Sequence, residues 1–147
     1  MIEVNTTRFG AVGIEADDIL RFPSGLPGLD DLHHWVLLAD AENDALAWLQ
    51  SVSCRDIALA VVSPRRFVAD YQVRISRSEL NPLQFEGESE AHVVVVVGKT
   101  ELSLTLNLKA PLIINLQRRL GRQVIVNDDQ PLQFELAPRR AQLRKSA

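Results

Sequence analysis

From Leu102 to Leu108 every even position is leucine, with Ser103, Thr105 and Asn107 between. A strict period of two gathers those leucines on one face of an extended chain and scatters them around a helix, so the segment dictates a strand. The run His92-Val93-Val94-Val95-Val96-Val97 makes the same demand in another way. β-branched residues are stiff at χ1, poor in helices and well suited to a pleat. Gly98-Lys99-Thr100-Glu101 is the turn between the two.

Similar patterns recur along the chain. Ile2, Val4 and Thr6 alternate with polar residues, and residues 10–14 and 19–22 read as a hairpin turned at Glu15-Ala16-Asp17-Asp18. Residues 35–39, 45–52 and 57–62 read as strands, as do 71–75, 112–114, 123–126 and 132–136. Helix is scarce: one turn over 29–34, and a short helix opened near Ser76 or Arg77 and limited by Pro82. Residues 84–90 read as a loop. The segment from Phe22 to Gly28 holds Pro23, Gly25, Pro27 and Gly28, which propagate neither a helix nor a central strand, so it is a shaped loop. About ten short antiparallel strands with one or two helical turns predict a single all-β domain, a sandwich or small β-barrel. No internal repeat or second domain is visible. The domain is expected over residues 1–137, with 138–147 a basic tail.

Composition limits the function. At 147 residues with 46% hydrophobic content the chain suits one globular domain, and with 5% aromatic residues its core is mainly aliphatic. No apolar run approaches the ~20 residues of a membrane-spanning helix, and the N-terminus lacks a signal-peptide pattern. Cys54 is the single cysteine, which excludes an internal disulfide and a multi-cysteine zinc site. The expected location is the cytoplasm.

The net charge of -3 hides an asymmetry. Residues 1–44 hold nine acids and two bases, a net -7; residues 45–136 balance; the tail carries Arg139, Arg140, Arg144 and Lys145 and no acid. An acidic face attracts a basic partner and repels nucleic acid, whose binders normally cluster positive charge.

Signals of enzyme chemistry are weak. There is no phosphate-binding glycine loop. His33 and His34 are adjacent, so their side chains diverge and make a poor metal pair. Cys54 has Arg55 beside it but no histidine nearby in sequence, which favours a small buried hydrophobe over a nucleophile. Asp17-Asp18, Asp30-Asp31 and Asp128-Asp129 lack the ligand spacing of a calcium loop. No cofactor or metal is expected. Trp35 and Trp48 lie in apolar runs and read as core rather than as a stacking platform for bases.

Five segments carry a specific resemblance. They are Phe22-Pro23-Ser24-Gly25-Leu26-Pro27-Gly28-Leu29, Trp48-Leu49-Gln50-Ser51, the stretch from Ser63-Pro64 through Phe67 to Asp70-Tyr71, the stretch Leu106-Asn107-Leu108-Lys109-Ala110-Pro111-Leu112-Ile113-Ile114-Asn115, and Gly121-Arg122-Gln123-Val124-Ile125. In order and spacing they resemble the FliW family of bacterial flagellar assembly factors. Leu29 replaces the aromatic residue usual in that family, Leu59 stands where phenylalanine is common, and the tail lies outside the pattern. The resemblance implies a non-enzymatic β-barrel-like protein, monomeric alone, with two protein partners. One is flagellin. The other is CsrA, a small basic RNA-binding dimer that represses flagellin message and is taken off it by FliW. A flagellin-only chaperone and a nucleic-acid module using the basic tail are the alternatives.

Each candidate residue has a structural and a functional reading. Pro23, Gly25, Pro27, Gly28 and Pro111 shape loops, while Phe22 and Leu26 are contact candidates. Gln50 is either a surface contact or a hydrogen bond at the edge of the core. Phe67 and Tyr71 are interface anchors, or else Phe67 is core and Tyr71 caps it with its hydroxyl on a backbone group. Asn107 and Asn115 either hold the bend around Pro111 or face a partner. Asp17, Asp18, Asp30 and Asp31 are the acids expected to meet a basic surface.

Overall fold

The computed structural model describes residues 1–86 and 90–136. Within them the strands are β1 (Ile2–Thr6), β2 (Gly10–Ile14), β3 (Ile19–Arg21), β4 (His34–Ala39), β5 (Leu46–Ser51), β6 (Ala58–Val62), β7 (His92–Lys99), β8 (Leu104–Leu106), β9 (Leu112–Asn115), β10 (Leu120–Gln123) and β11 (Phe134–Glu135), with helix α1 (Arg77–Leu80) between β6 and β7. Strands β3, β4, β5, β6, β7, β9 and β10 pair in that order, and β10 returns to β3, closing a seven-stranded barrel. The closing pair, Leu120 opposite Arg21, is parallel and the other pairs are antiparallel. β7 carries the branch point: His92–Val94 pairs with β9, Val97–Lys99 with β8, and Val95 and Val96 with β6. β11 extends β8 outward. No helix among the described residues is long and apolar enough to cross a membrane.

The barrel interior is filled. Leu20, Phe22, Leu26, Trp35, Leu49, Val61, Leu112 and Ile114 form one buried cluster, as a barrel of this size requires. Much of the outer wall is covered too. Val4 and Ile14 of the β1–β2 hairpin pack on Val36. Tyr71, Leu106 and Leu108 pack on Val62 and Val95. Leu83, with Ile75 and Leu80 beside it, packs on Ile113 and Val124. β7 therefore contacts apolar neighbours on both faces, which is why its sequence is a continuous valine run and not an alternation.

Several local expectations change. The hairpin of residues 10–14 with 19–22 is replaced: β2 pairs with β1, and β3 pairs with β4. The Thr6 hydroxyl donates to Gly10 O and accepts from Phe9 N, closing β1 onto β2 locally, while Glu15 and Asp18 form a reciprocal capping box that redirects the chain into β3. Residues 29–33 form turn and irregular backbone rather than a helix, and His34 already opens β4. Tyr71–Ile75 alternates buried and exposed positions as predicted but joins no ladder. Side chains hold its backbone instead: Arg65 Nε donates to Tyr71 O, and Asp128 Oδ1 accepts from Arg74 N. The strand expected at 123–126 lies earlier, as β10. Leu106 and Leu108 are buried but Leu102 and Leu104 are exposed, because the end of the β7–β8 hairpin runs past the barrel wall. The helix at Ser76 forms as read, with the Ser76 hydroxyl accepting from Glu79 N. Part of the 84–90 loop and the basic tail lie outside the described residues.

Candidate partner-binding surface

The Phe22 loop is a plug for the barrel end. Phe22 N donates to His33 O, and His33 Nδ1–H donates back to Phe22 O at 3.0 Å. The ring lies against Gly121, where an added Cβ would sit 2.3 Å from the ring tip. Gly25 has φ +65° and abuts Asp30 O, so both its conformation and its space demand glycine. Leu26 is 2% exposed and meets Leu29 in an isolated bridge. Phe22 and Leu26 are thus core residues, and the contact reading for them is corrected: their side chains are spent filling the barrel.

For Gln50 the hydrogen-bonding reading holds and the surface-contact reading is corrected, since the side chain is fully buried. Its Nε2 donates to Ser51 O, Cys54 O and Arg55 O, gathering the turn after β5, while its Oε1 is buried without a partner. Tyr71 is buried, and its hydroxyl donates to Leu108 O at 2.8 Å. Burial, aided by the negative charge of Asp128, pushes the phenol up to about 12. The backbone-partnered reading of Tyr71 therefore holds and the anchor reading fails. Phe67 is the reverse: it is 42% exposed rather than core. Asn115 is buried, donating to Leu83 O and accepting from Gln117 N and Arg118 N. Asn107 accepts from Ala110 N. Asn107 thus holds the bend before Pro111, whereas Asn115 holds the turn from β9 into β10 rather than the Pro111 bend, and its partner-facing reading is corrected.

The exposed candidates are Phe67 and the acids. Asp17 is already paired with Arg119 at 3.1 Å, and Asp18 is engaged in the capping box. Asp30 and Asp31 are exposed on the turn after the plug, with no side-chain partner among the described residues. The structure gathers Phe22, Leu26 and the glycines into one plug but does not assemble the candidate list into one exposed patch.

An aromatic cluster on the outer wall was missed in the sequence. The Arg8 guanidinium lies 4.0 Å from the centre of the half-buried Trp48 ring, Phe9 meets that ring edge-on at 6.1 Å, and Trp48 Nε1 donates to Asp40 Oδ1. The indole N–H, joined by the backbone N–H of Glu42 and Asn43, holds the Asp40 carboxyl below its usual range. The signal was available: Leu49 faces the interior, so period two sends Trp48 outward. Exposed tryptophan and arginine are the residue types that most often anchor interfaces. Among the described residues no group of three or more His, Cys, Asp or Glu is placed to hold a metal ion.

These features define a class: a small closed β-barrel with a filled interior, plugged at one end, with its distinctive chemistry displayed on the outer wall. A family model described as FliW protein matches residues 3–136. The flagellar assembly factor FliW of Caldanaerobacter subterraneus subsp. tengcongensis is 37% identical over 134 residues, and that of Thermoanaerobacter pseudethanolicus 35%; each alignment covers 89% of this chain and 89% of the relative. A crystal structure of the flagellar assembly factor FliW superposes with a TM-score of 0.87 at 29% identity, covering 94% of this chain and 99% of that one. The chain belongs to the FliW family of flagellar assembly factors.

Proposed function

We propose that this protein is a non-catalytic regulator of flagellar assembly in the cytoplasm, binding CsrA to antagonise its hold on flagellin message and binding flagellin in competition. The observation that carries the reading is family membership across residues 3–136; the two partners proposed are those the sequence resemblance implies. The charge distribution supports it. Residues 1–44 carry a net -7, and Asp30 and Asp31 are exposed and unpaired among the described residues. An acidic body docked beside an RNA-binding dimer opposes the cation–phosphate contacts on which RNA affinity depends. A coupling of about 1–3 kcal/mol shifts RNA occupancy by one to two decades, and it is reciprocal.

Calorimetric titration with CsrA, with and without a flagellin-leader RNA, tests this reading. Saturable binding that weakens RNA affinity roughly 10–100-fold is expected, with the antagonism shrinking as salt is raised. Antagonism unchanged in high salt removes the field contribution. Absence of CsrA binding sinks the antagonist role, and the same titration against flagellin then decides for a flagellin-only chaperone. RNA binding by this chain that vanishes on removing residues 138–147 decides for a nucleic-acid module. Charge reversal at Asp30 and Asp31 is expected to slow association with CsrA several-fold at low salt and little at high salt.

A further inference from the structure

In an antiparallel ladder, successive residues point their N–H and C=O groups to opposite edges. In β7 the even residues point toward β8 and β9: Asn107 N donates to Val96 O, and Val124 N donating to Pro111 O sets the same parity across β9 and β10. The odd residues face β6, where Val95 meets Val62. The next pair in that ladder would be Val93 with Pro64. Pro64 has no N–H to give, and its C=O already accepts from Phe67 N and Val68 N. Val93 N–H and C=O are therefore without a partner among the described residues, on an open edge of the barrel wall.

A cavity of about 570 Å³ lies against that edge. Its apolar walls are Val73, Ile75, Leu80, Val93 and Ile113, and Arg65 stands at its border. The opposite wall is the extended segment Tyr71–Ile75. In that segment Gln72 O and Arg74 N turn toward Gln130 and Asp128, so Val73 N–H and C=O point the other way, unpartnered among the described residues. Arg65 spends only Nε, on Tyr71 O. Its terminal nitrogens, and the Arg74 guanidinium, have no partner among the described residues, and both side chains line an adjoining polar cavity of about 490 Å³ where Asp128 is the only acid among the described residues. Asp128 is itself engaged through Oδ1 by Arg74 N.

We infer that this slot receives an extended peptide segment of a partner, which adds as a strand to the free edge of β7, sets aliphatic side chains into the cavity and lays a carboxylate on Arg65. Backbone pairing to an exposed sheet edge supplies affinity, and the alternate side chains supply selectivity. The excess of guanidinium over carboxylate at the border selects an acidic segment and disfavours the basic 138–147 tail as occupant.

The probe is a fluorescently labelled, end-blocked hexapeptide that alternates valine and threonine and carries one central glutamate, titrated into the full chain and followed by anisotropy and amide NMR. Saturable binding with slowed exchange of the Val93 amide is expected. Methylating the peptide backbone nitrogens on one edge is expected to weaken binding about tenfold or more, since Val93 C=O then stays unpaired and buried. Replacing the peptide glutamate by glutamine is expected to weaken it several-fold, and Arg65→Gln to abolish that difference. No binding at millimolar peptide, or full binding by the methylated peptide, overturns strand addition. A glutamate preference that is absent, or that survives Arg65→Gln, overturns the carboxylate assignment. Binding seen only after residues 138–147 are removed makes the tail the occupant and overturns the external partner.

Discussion

Two parts of the barrel are closed by segments that are not strands, and they are closed differently. The Phe22–Leu29 loop seals one end with a fully buried ring, a backbone bond to His33 and a Gly25 pressed against the Asp30 backbone. The Tyr71–Ile75 segment covers the wall near β7 with backbone held mainly by side chains, and a cavity remains beneath it. The first is a packing solution and tolerates little change. The second is a tethering solution and leaves unpaired backbone on both sides. The contrast teaches that a segment can alternate like a strand, bury alternate side chains like a strand, and still leave a place for one.

The largest effect that separates the two is truncation of the plug. Phe22→Ala deletes a ring that touches the barrel core and the Gly121 backbone, and is expected to cost about 3–5 kcal/mol in chemical denaturation. A cost near 1 kcal/mol would mean that the loop collapses into the space and that the plug is not rigid. Gly121→Ala approaches the same contact from the other side. Its Cβ would fall 2.3 Å from the ring tip, and Phe22 has no exposed surface into which to retreat, so a loss of up to about 3 kcal/mol is expected. Because the two sites share one contact, Phe22→Ala should suppress the cost of Gly121→Ala, and a double-mutant cycle measures that coupling.

The legibility of the sequence follows the same division. Strand-bearing segments with apolar positions in the core, such as Trp35, Leu49 and Val61, were readable because burial of a side chain leaves a period in the sequence. The glycines of the plug were readable because positive φ is a local demand. What stayed hidden was pairing. Nothing in residues 71–75 says that Asp128, far along the chain, would take the place of a neighbouring strand. Nothing in the alternating leucines says where the barrel wall ends, so Leu102 and Leu104 read like Leu106 and Leu108 yet stand in solvent. The candidate site suffered most. Phe22, Leu26, Gln50, Tyr71 and Asn115 sit in motifs that stand out because the scaffold needs them, whereas the half-buried Trp48 cluster is assembled from β5 and the turn after β1, a juxtaposition visible only in three dimensions.

On the tethered side the expected effects are smaller and depend on pH. Tyr71→Phe removes the donor to Leu108 O and leaves that carbonyl buried, a loss of about 1–1.5 kcal/mol at neutral pH. The phenol is raised from an ordinary value of 10.0 to about 12 in the fold. A group raised on folding stabilises fully below its unfolded value and loses that contribution as pH climbs through the folded one. Stability of the unaltered chain is therefore expected to fall between about pH 10 and 12, and Tyr71→Phe to flatten that part of the curve. Equal curves for both chains would show that the hydroxyl is solvated and the Leu108 contact broken.

The smallest effect is the most discriminating. Asp128→Asn keeps an oxygen able to accept from Arg74 N but removes the charge that helps to raise Tyr71. Because the tether survives, neutral-pH stability should change by less than about 0.5 kcal/mol, as for most partly exposed polar substitutions. The alkaline loss should nonetheless be complete at a lower pH, since one of the two causes holding the phenol protonated is gone while burial, the larger, remains. If Asp128→Asn instead destabilises at neutral pH as much as Tyr71→Phe, charge rather than hydrogen bonding holds the segment. The cover over the β7 edge would then loosen with salt, whereas the Phe22 plug, held by ring packing, backbone bonds and one imidazole-to-carbonyl bond, would not.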